Sequence, residues 1–189
     1  VTLGQAPSGQ PPSAQPQIPA TALALVPKSA ARDTLHMQSH LASFKIVPRG
    51  PEVPAGRLEF SFSGTVMVNG LAPGSYLATT GNVRKEYDHP EHGRLVYFGK
   101  GKILIVGRFK GCQWFGRDLD LTFKGAGIVR FVAEFDKNLE TGSYWFDPKF
   151  KNPMDVNLWQ VVVPQPIVTP EKAITREEFE RQKKQKGGG

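Results

Sequence analysis

The sequence predicts an all-β protein, an antiparallel β-sandwich or partly open barrel formed by a meander of about seven to nine strands. One observation is a shared, glycine-punctuated alternation in three stretches: Phe60, Phe62, Gly64, Val66, Val68 and Gly70; Tyr97, Gly99, Gly101, Ile103, Ile105 and Gly107; Phe123, Gly125, Gly127, Val129, Phe131 and Ala133. Side chains on a strand alternate between faces with period two, so each set lines one face. A second is a displaced likeness: moving Leu95 to Phe109 by 26 positions lands it on Leu121 to Phe135 with the glycines and the apolar residues matched. This predicts two hairpin-like units of similar geometry. The third is punctuation by Gly and Pro, as at Pro48, Gly50 and Pro51 or Pro73 and Gly74, which breaks the chain into short segments. Mid-strand glycine sacrifices packing and backbone entropy, so its recurrence points to bends, bulges or close backbone approach.

The elements follow in order. Residues 1–40 read as a flexible Pro/Gln/Ala-rich segment: Pro7, Pro11, Pro12, Pro16, Pro19 and Pro27 interrupt any regular element, and the segment buries too little apolar surface to offset its ordering entropy. Within it, Ile18 to Val26 carries enough apolar residues for an edge strand. The β-domain spans 41–166. Phe44 to Ile46 is a first strand, and Arg57 to Asn69 alternates cleanly between an apolar and a polar face, which marks a half-buried strand. Tyr76 to Thr80 is a short strand, Asn82 to Gly93 a charged loop, and Leu95 to Phe109, Cys112 to Phe115, Asp118 to Lys124 and Gly127 to Phe135 the meander. Ser143 to Phe146 and Val156 to Val163 are the last strands, the latter placed either to close the domain or to pair with another subunit. The expected core is Leu58, Phe60, Phe62, Val66, Val68, Tyr97, Ile103, Ile105, Leu121, Phe123, Val129 and Phe131, with Trp145 and Trp159 at the rim or ends. Residues 167–189 form a charged tail in which Thr175 and Glu178 have the spacing of a helix-capping box.

Composition narrows the chemistry. No apolar run approaches the ~20 residues of a membrane-crossing helix. The single cysteine, Cys112, excludes an intramolecular disulfide, and its setting beside Gly111 and Gln113-Trp114-Phe115 suits a small buried hydrophobe better than a nucleophile. Asp118 and Asp120 alternate with Leu119 and Leu121, the pattern of a solvated strand face rather than an acid/base pair. Gly99-Lys100-Gly101 sits in strand-like sequence with no following helix, so it lacks the geometry of a phosphate loop. His36 and His40 would share a face if 34–41 were a helical turn, and with His89 and His92 could hold a metal ion; the spacing fits no known signature, so no metal, cofactor or small-molecule substrate is expected.

One functional feature stands out. The formal net charge is +7, and Arg94, Lys100, Lys102, Arg108 and Lys110 share even parity with Phe98, opposite the glycine face; the matched unit adds Lys124 and Arg130. If the two units are neighbours, a basic stripe crosses the sheet with Phe98 and Trp114 as aromatic platforms. Charge and aromatics together suit single-stranded nucleic acid or acidic polysaccharide, although exposed lysines also guard sheets against aggregation. The leading expectation is a non-catalytic structural or protein-interaction β-domain that works with a protein partner or a larger assembly; polyanion binding is the alternative. Val1 to Ala6 ahead of the Pro-rich segment resembles the residue pattern around a signal-peptide cleavage site, which predicts export.

Overall fold

The computed structural model describes residues 17–134, 142–154 and 156–166. Their order is α1 (Ala20–Ala24), β1 (Thr34–Val47), β2 (Ala55–Leu71), β3 (Tyr76–His89), a 3-10 turn (Pro90–His92), β4 (Arg94–Ala133), β5 (Ser143–Trp145), β6 (Asn152–Pro153) and β7 (Trp159–Val163). The strands form one seven-stranded sheet, antiparallel because partner numbers fall along one strand as they rise along its neighbour. The fold is all-β, as the alternation requires.

Several boundaries differ from those expected. The first strand begins at Thr34, because Leu35 and Met37 already alternate inward and are fully buried. The stretch around Ile18 to Val26 contains the short helix α1, with Ala22 buried, instead of an edge strand. The charged segment Asn82 to His89 continues β3 instead of looping, since it pairs with Lys100 to Arg94. The last strand starts only at Trp159. Phe135 and the capping box at Thr175 lie outside the described residues.

The largest departure is β4. It is a single strand of 40 residues, where two hairpin-like units were expected. Leu58 pairs on one edge with Ile105 and on the other with Phe123; Ile46 pairs with Cys112 and with Val129. Each neighbour thus lies between two passes of the same strand, which returns after 17 or 18 residues. Ala55 pairs with Arg108, and Asn69, at the other end of β2, pairs with Gly111. Three residues reach at most about 11 Å, whereas the fourteen steps from Ala55 to Asn69 would span roughly 46 Å if straight. β2 therefore curls until its ends approach, and the sheet is a coiled ribbon wrapped around its own core.

Rows of cross-strand partners explain how so tight a coil is packed. Tyr97, Val66, Trp114, Phe44 and Phe131 form one inward row, all buried. The Phe44 ring stacks on Trp114 at 5.9 Å and meets Phe60 edge-on at 5.2 Å. The next row inward is Gly99, Gly64, Gly116, Ala42 and Ala133. Large rows fill the interior while the small row lets the backbones close in, the large/small alternation that small barrels use. Gly64 has φ +151°, and a Cβ there would lie 2.8 Å from the Cα of Gly116, so this position requires glycine. All twelve expected core residues are buried.

β4 changes which parity faces inward. Phe109 is inward, then Cys112 and Trp114, then Leu119 and Leu121. The second change is a bulge: between the pairs Ser61 with Asp120 and Ser63 with Arg117, β4 carries one residue more than β2, and Asp118 adopts φ +57°. Non-glycine residues rarely adopt that conformation, and Asp is among those that tolerate it. β1 shifts at the same level: Ser39 and Ala42 are buried while His40 and Leu41 face out, and the Ser39 hydroxyl donates to the Leu41 carbonyl oxygen at 3.0 Å.

Cys112 is the free, buried thiol of this core, and burial pushes its pKa far above the ordinary value. Because the thiolate is the reactive form, a thiol-specific disulfide reagent should leave the native protein unlabelled for hours and modify it within seconds in denaturant. Rapid labelling of the native state would show that Cys112 is not enclosed.

Candidate functional site

The two parity shifts decide what appears on the outside of the coil. With Trp114 turned inward, its neighbour Phe115 must point out, and it is 65% exposed. Across Thr65 on the same outward row stands Phe98, 42% exposed, and the row continues through Ser43 to Val132 and ends at Arg84. The Arg84 guanidinium lies over the Phe98 ring at 5.2 Å and also pairs with Glu86 at 2.8 Å. A cation over a ring face is attracted by the ring quadrupole, which favours the observed placement of Phe98 beside Arg84.

Beside this row runs Lys100, Ser63, Arg117 and Leu41; on its other side run Val96, Met67, Gln113, Lys45 and Arg130. Lys45 and Arg130 are direct cross-strand partners, an arrangement of like charges that costs stability. Lys100 reaches Asp118 only at 3.9 Å, with both side chains largely in solvent. Among the described residues, Lys45, Arg117 and Arg130 form no ion pair. An aromatic ridge is thus flanked by cations on both sides.

A cleft opens at one end of the ridge. Its volume is about 240 Å³, and it is lined by Leu41, Ala42, Ser43, Phe115, Val132, Ala133, Glu134 and Val156. Leu41 and Phe115 reach it only because β1 and β4 kink together at His40 and Asp118. An apolar cleft bordered by exposed Phe115 and Val156 and flanked by cations is a surface suited to another molecule.

The residues expected to form a basic stripe are partly dispersed. The two halves of the glycine repeat are not neighbours, since β2 lies between them; Lys124 therefore sits across from Arg57, far along the strand from Lys100. Phe98, Lys100 and Lys102 remain on one outward run, but Lys102 shares its row with Asp120 through Ser61. Arg94 donates from Nε to Asn69 Oδ1 at 3.0 Å. Arg108 lines a different cleft with Pro27, Pro51 and Val53, and the Lys110 stem lies against Gly70. Arg130 joins the ridge through Lys45. Trp114, expected as a surface platform, is fully buried, and Phe115 takes that role. No periodicity separates two adjacent aromatics; only the register does.

The histidines occupy two places. Residues 34–41 are strand, not a helical turn. His36 stacks on Trp145 at 5.5 Å and shares a 3.2 Å hydrogen bond with Thr122 through Nδ1; burial lowers its pKa, with Asp120 opposing the shift. His89 stands between Tyr87 and His92, at 4.3 and 5.1 Å. Among the described residues, no three His, Cys, Asp or Glu side chains gather to hold a metal ion, and no helix is long and apolar enough to cross a membrane.

Comparison of the chain with protein-family models, with curated proteins and with solved structures finds no match.

Proposed function

We propose that this protein is a non-catalytic binding module that docks a protein partner on the outer face of its coiled sheet, at the Phe98–Phe115 ridge. The observation that carries this reading is the exposure of Phe115, bordered by an apolar cleft and by unpaired cations. Aromatic and Arg side chains dominate the energetics of protein interfaces, and a rigid sheet presents them with little ordering cost. The conformation of Asp118 supports the same reading, because bulges and non-glycine residues at positive φ gather where a side chain is re-aimed for function.

The test is site-specific photo-crosslinking. A benzophenone amino acid placed at Phe115, in cells that naturally make the protein, should give a discrete protein adduct; the same group at Glu59, an outward residue of β2 three rows away from the ridge, should not. Equal adducts from both positions, or none from Phe115, would overturn the reading. Polyanion binding is the second reading, favoured by the adjacent Lys45 and Arg130; it predicts affinity that falls steeply with added salt.

A further inference from the structure

We infer that the ligand of this face is a short acidic segment of a partner protein with one large apolar or aromatic anchor, the anchor entering the Phe115 cleft and the carboxylates lying along the cations. This rests on the reading of the ridge as a docking surface. Two features of the cleft select the anchor. Its volume, about 240 Å³, falls below the ~300 Å³ at which pockets begin to hold drug-sized ligands, and so suits a single side chain. Its walls are apolar apart from Ser43 and Glu134, which gives a bulky hydrocarbon or aromatic group somewhere to go and gives a phosphodiester nothing.

The rim supplies the second half of the recognition. Arg117 is the cross-strand partner of Leu41, and partners on one face have Cβ atoms about 5 Å apart. A charge beside the anchor is therefore within one residue of Arg117, and Lys100 follows in the same row across Ser63. Lys45 and Arg130 border the ridge on the other side. These cations also argue against a second copy of this chain as the occupant, because a twofold contact centred on Phe115 would bring two like-charged rims together, an unfavourable juxtaposition. Nucleic acid finds aromatic faces and positive charge here, but the apolar walls of the cleft, lined by Leu41, Phe115, Val132 and Val156, do not serve its phosphates.

The proposal is tested on the full chain by fluorescence anisotropy. The probes are a labelled nine-residue peptide with a central Trp-Leu pair flanked by Asp and Glu, the same peptide with Lys in place of the acids, and an oligo(dT) of about 20 nucleotides, long enough to fill the ~4–16-nucleotide sites of groove-tracking proteins. The acidic peptide is expected to bind, at least tenfold more weakly to Phe115→Ser and to Arg117→Glu, with no change for Arg57→Glu on a distant row. Circular dichroism of each variant, which should match the parent, separates lost binding from lost folding. Tighter binding of the Lys peptide or of oligo(dT), still lost in Phe115→Ser, would overturn the ligand class and keep the docking face. Binding indifferent to both Phe115→Ser and Arg117→Glu would overturn the face itself. A gain in peptide affinity on Phe179→Ala would assign the cleft to the chain's own Glu177-Glu178-Phe179-Glu180 and also overturn the proposal.

Discussion

Gly64→Val is expected to destabilise the fold by roughly 4 kcal/mol or more, a large fraction of the 5–15 kcal/mol that holds a typical domain together. Gly64 lies between Gly99 and Gly116 in the small inward row. A Cβ added to it would collide with the Phe115 carbonyl oxygen and stand 2.8 Å from the Cα of Gly116. Both obstacles are backbone, held by the ladder on either side, so neither can turn aside as a flexible side chain would. The φ of +151° adds conformational strain for any L side chain. The neighbouring outward residue serves as control: Thr65→Val should move stability by less than about 1 kcal/mol, as surface changes do. Guanidinium unfolding followed by tryptophan fluorescence measures both. A Gly64→Val midpoint equal to the parent's would mean that the strands do not pack backbone to backbone there.

Trp114→Ala is the second large effect, about 3–5 kcal/mol, the range found when a fully buried large aromatic is truncated. The side chain is completely enclosed, stacked on Phe44 and set between Val66 and Phe44 in the central row. Its indole Nε1 finds no acceptor among the described residues. Trp114→Phe therefore removes volume without breaking a hydrogen bond, and should cost less, roughly 1–2 kcal/mol. The order Ala far below Phe, with Phe115→Ala nearly neutral to stability, is the signature of the observed register. If Phe115→Ala destabilised and Trp114→Ala did not, the two aromatics would have exchanged faces, since a slip of one residue flips every side chain in a strand.

That pair also marks how far the sequence could be read. The inward sets of β2 and of both ends of β4 were legible because apolar residues and glycines keep one parity throughout, and each of the expected core residues there is buried. Trp114 was not legible: it adjoins Phe115, both are aromatic, and a parity rule carried along from Tyr97 is broken at Lys110 and Gly111 before it reaches them. The kink at His40 and Leu41 was equally hidden, because Ser39, His40 and Leu41 suit either face. As a result the site was found only in part. Phe98, Lys100 and Arg130 were named from parity and charge, whereas Phe115, Arg117, Lys45 and the cleft at Leu41 depend on the parity shifts of β1 and β4 and on strands far apart in sequence.

The 26-residue likeness between Leu95–Phe109 and Leu121–Phe135 led to a wrong connection for an instructive reason. Both stretches need glycine where neighbouring backbones close in and large residues where the interior is open, so they resemble each other without forming separate hairpins. The sequence alone determined the chemistry of each face: alternation told greasy from wet, and recurrent glycine told where the ribbon must bend. Tertiary structure alone decided which strands meet, because pairing is fixed by the distance a strand travels before it comes round again. That distance is set by the bulk of Trp114, Phe44, Phe60 and their neighbours packed together inside the coil, a collective quantity that no local window of residues contains.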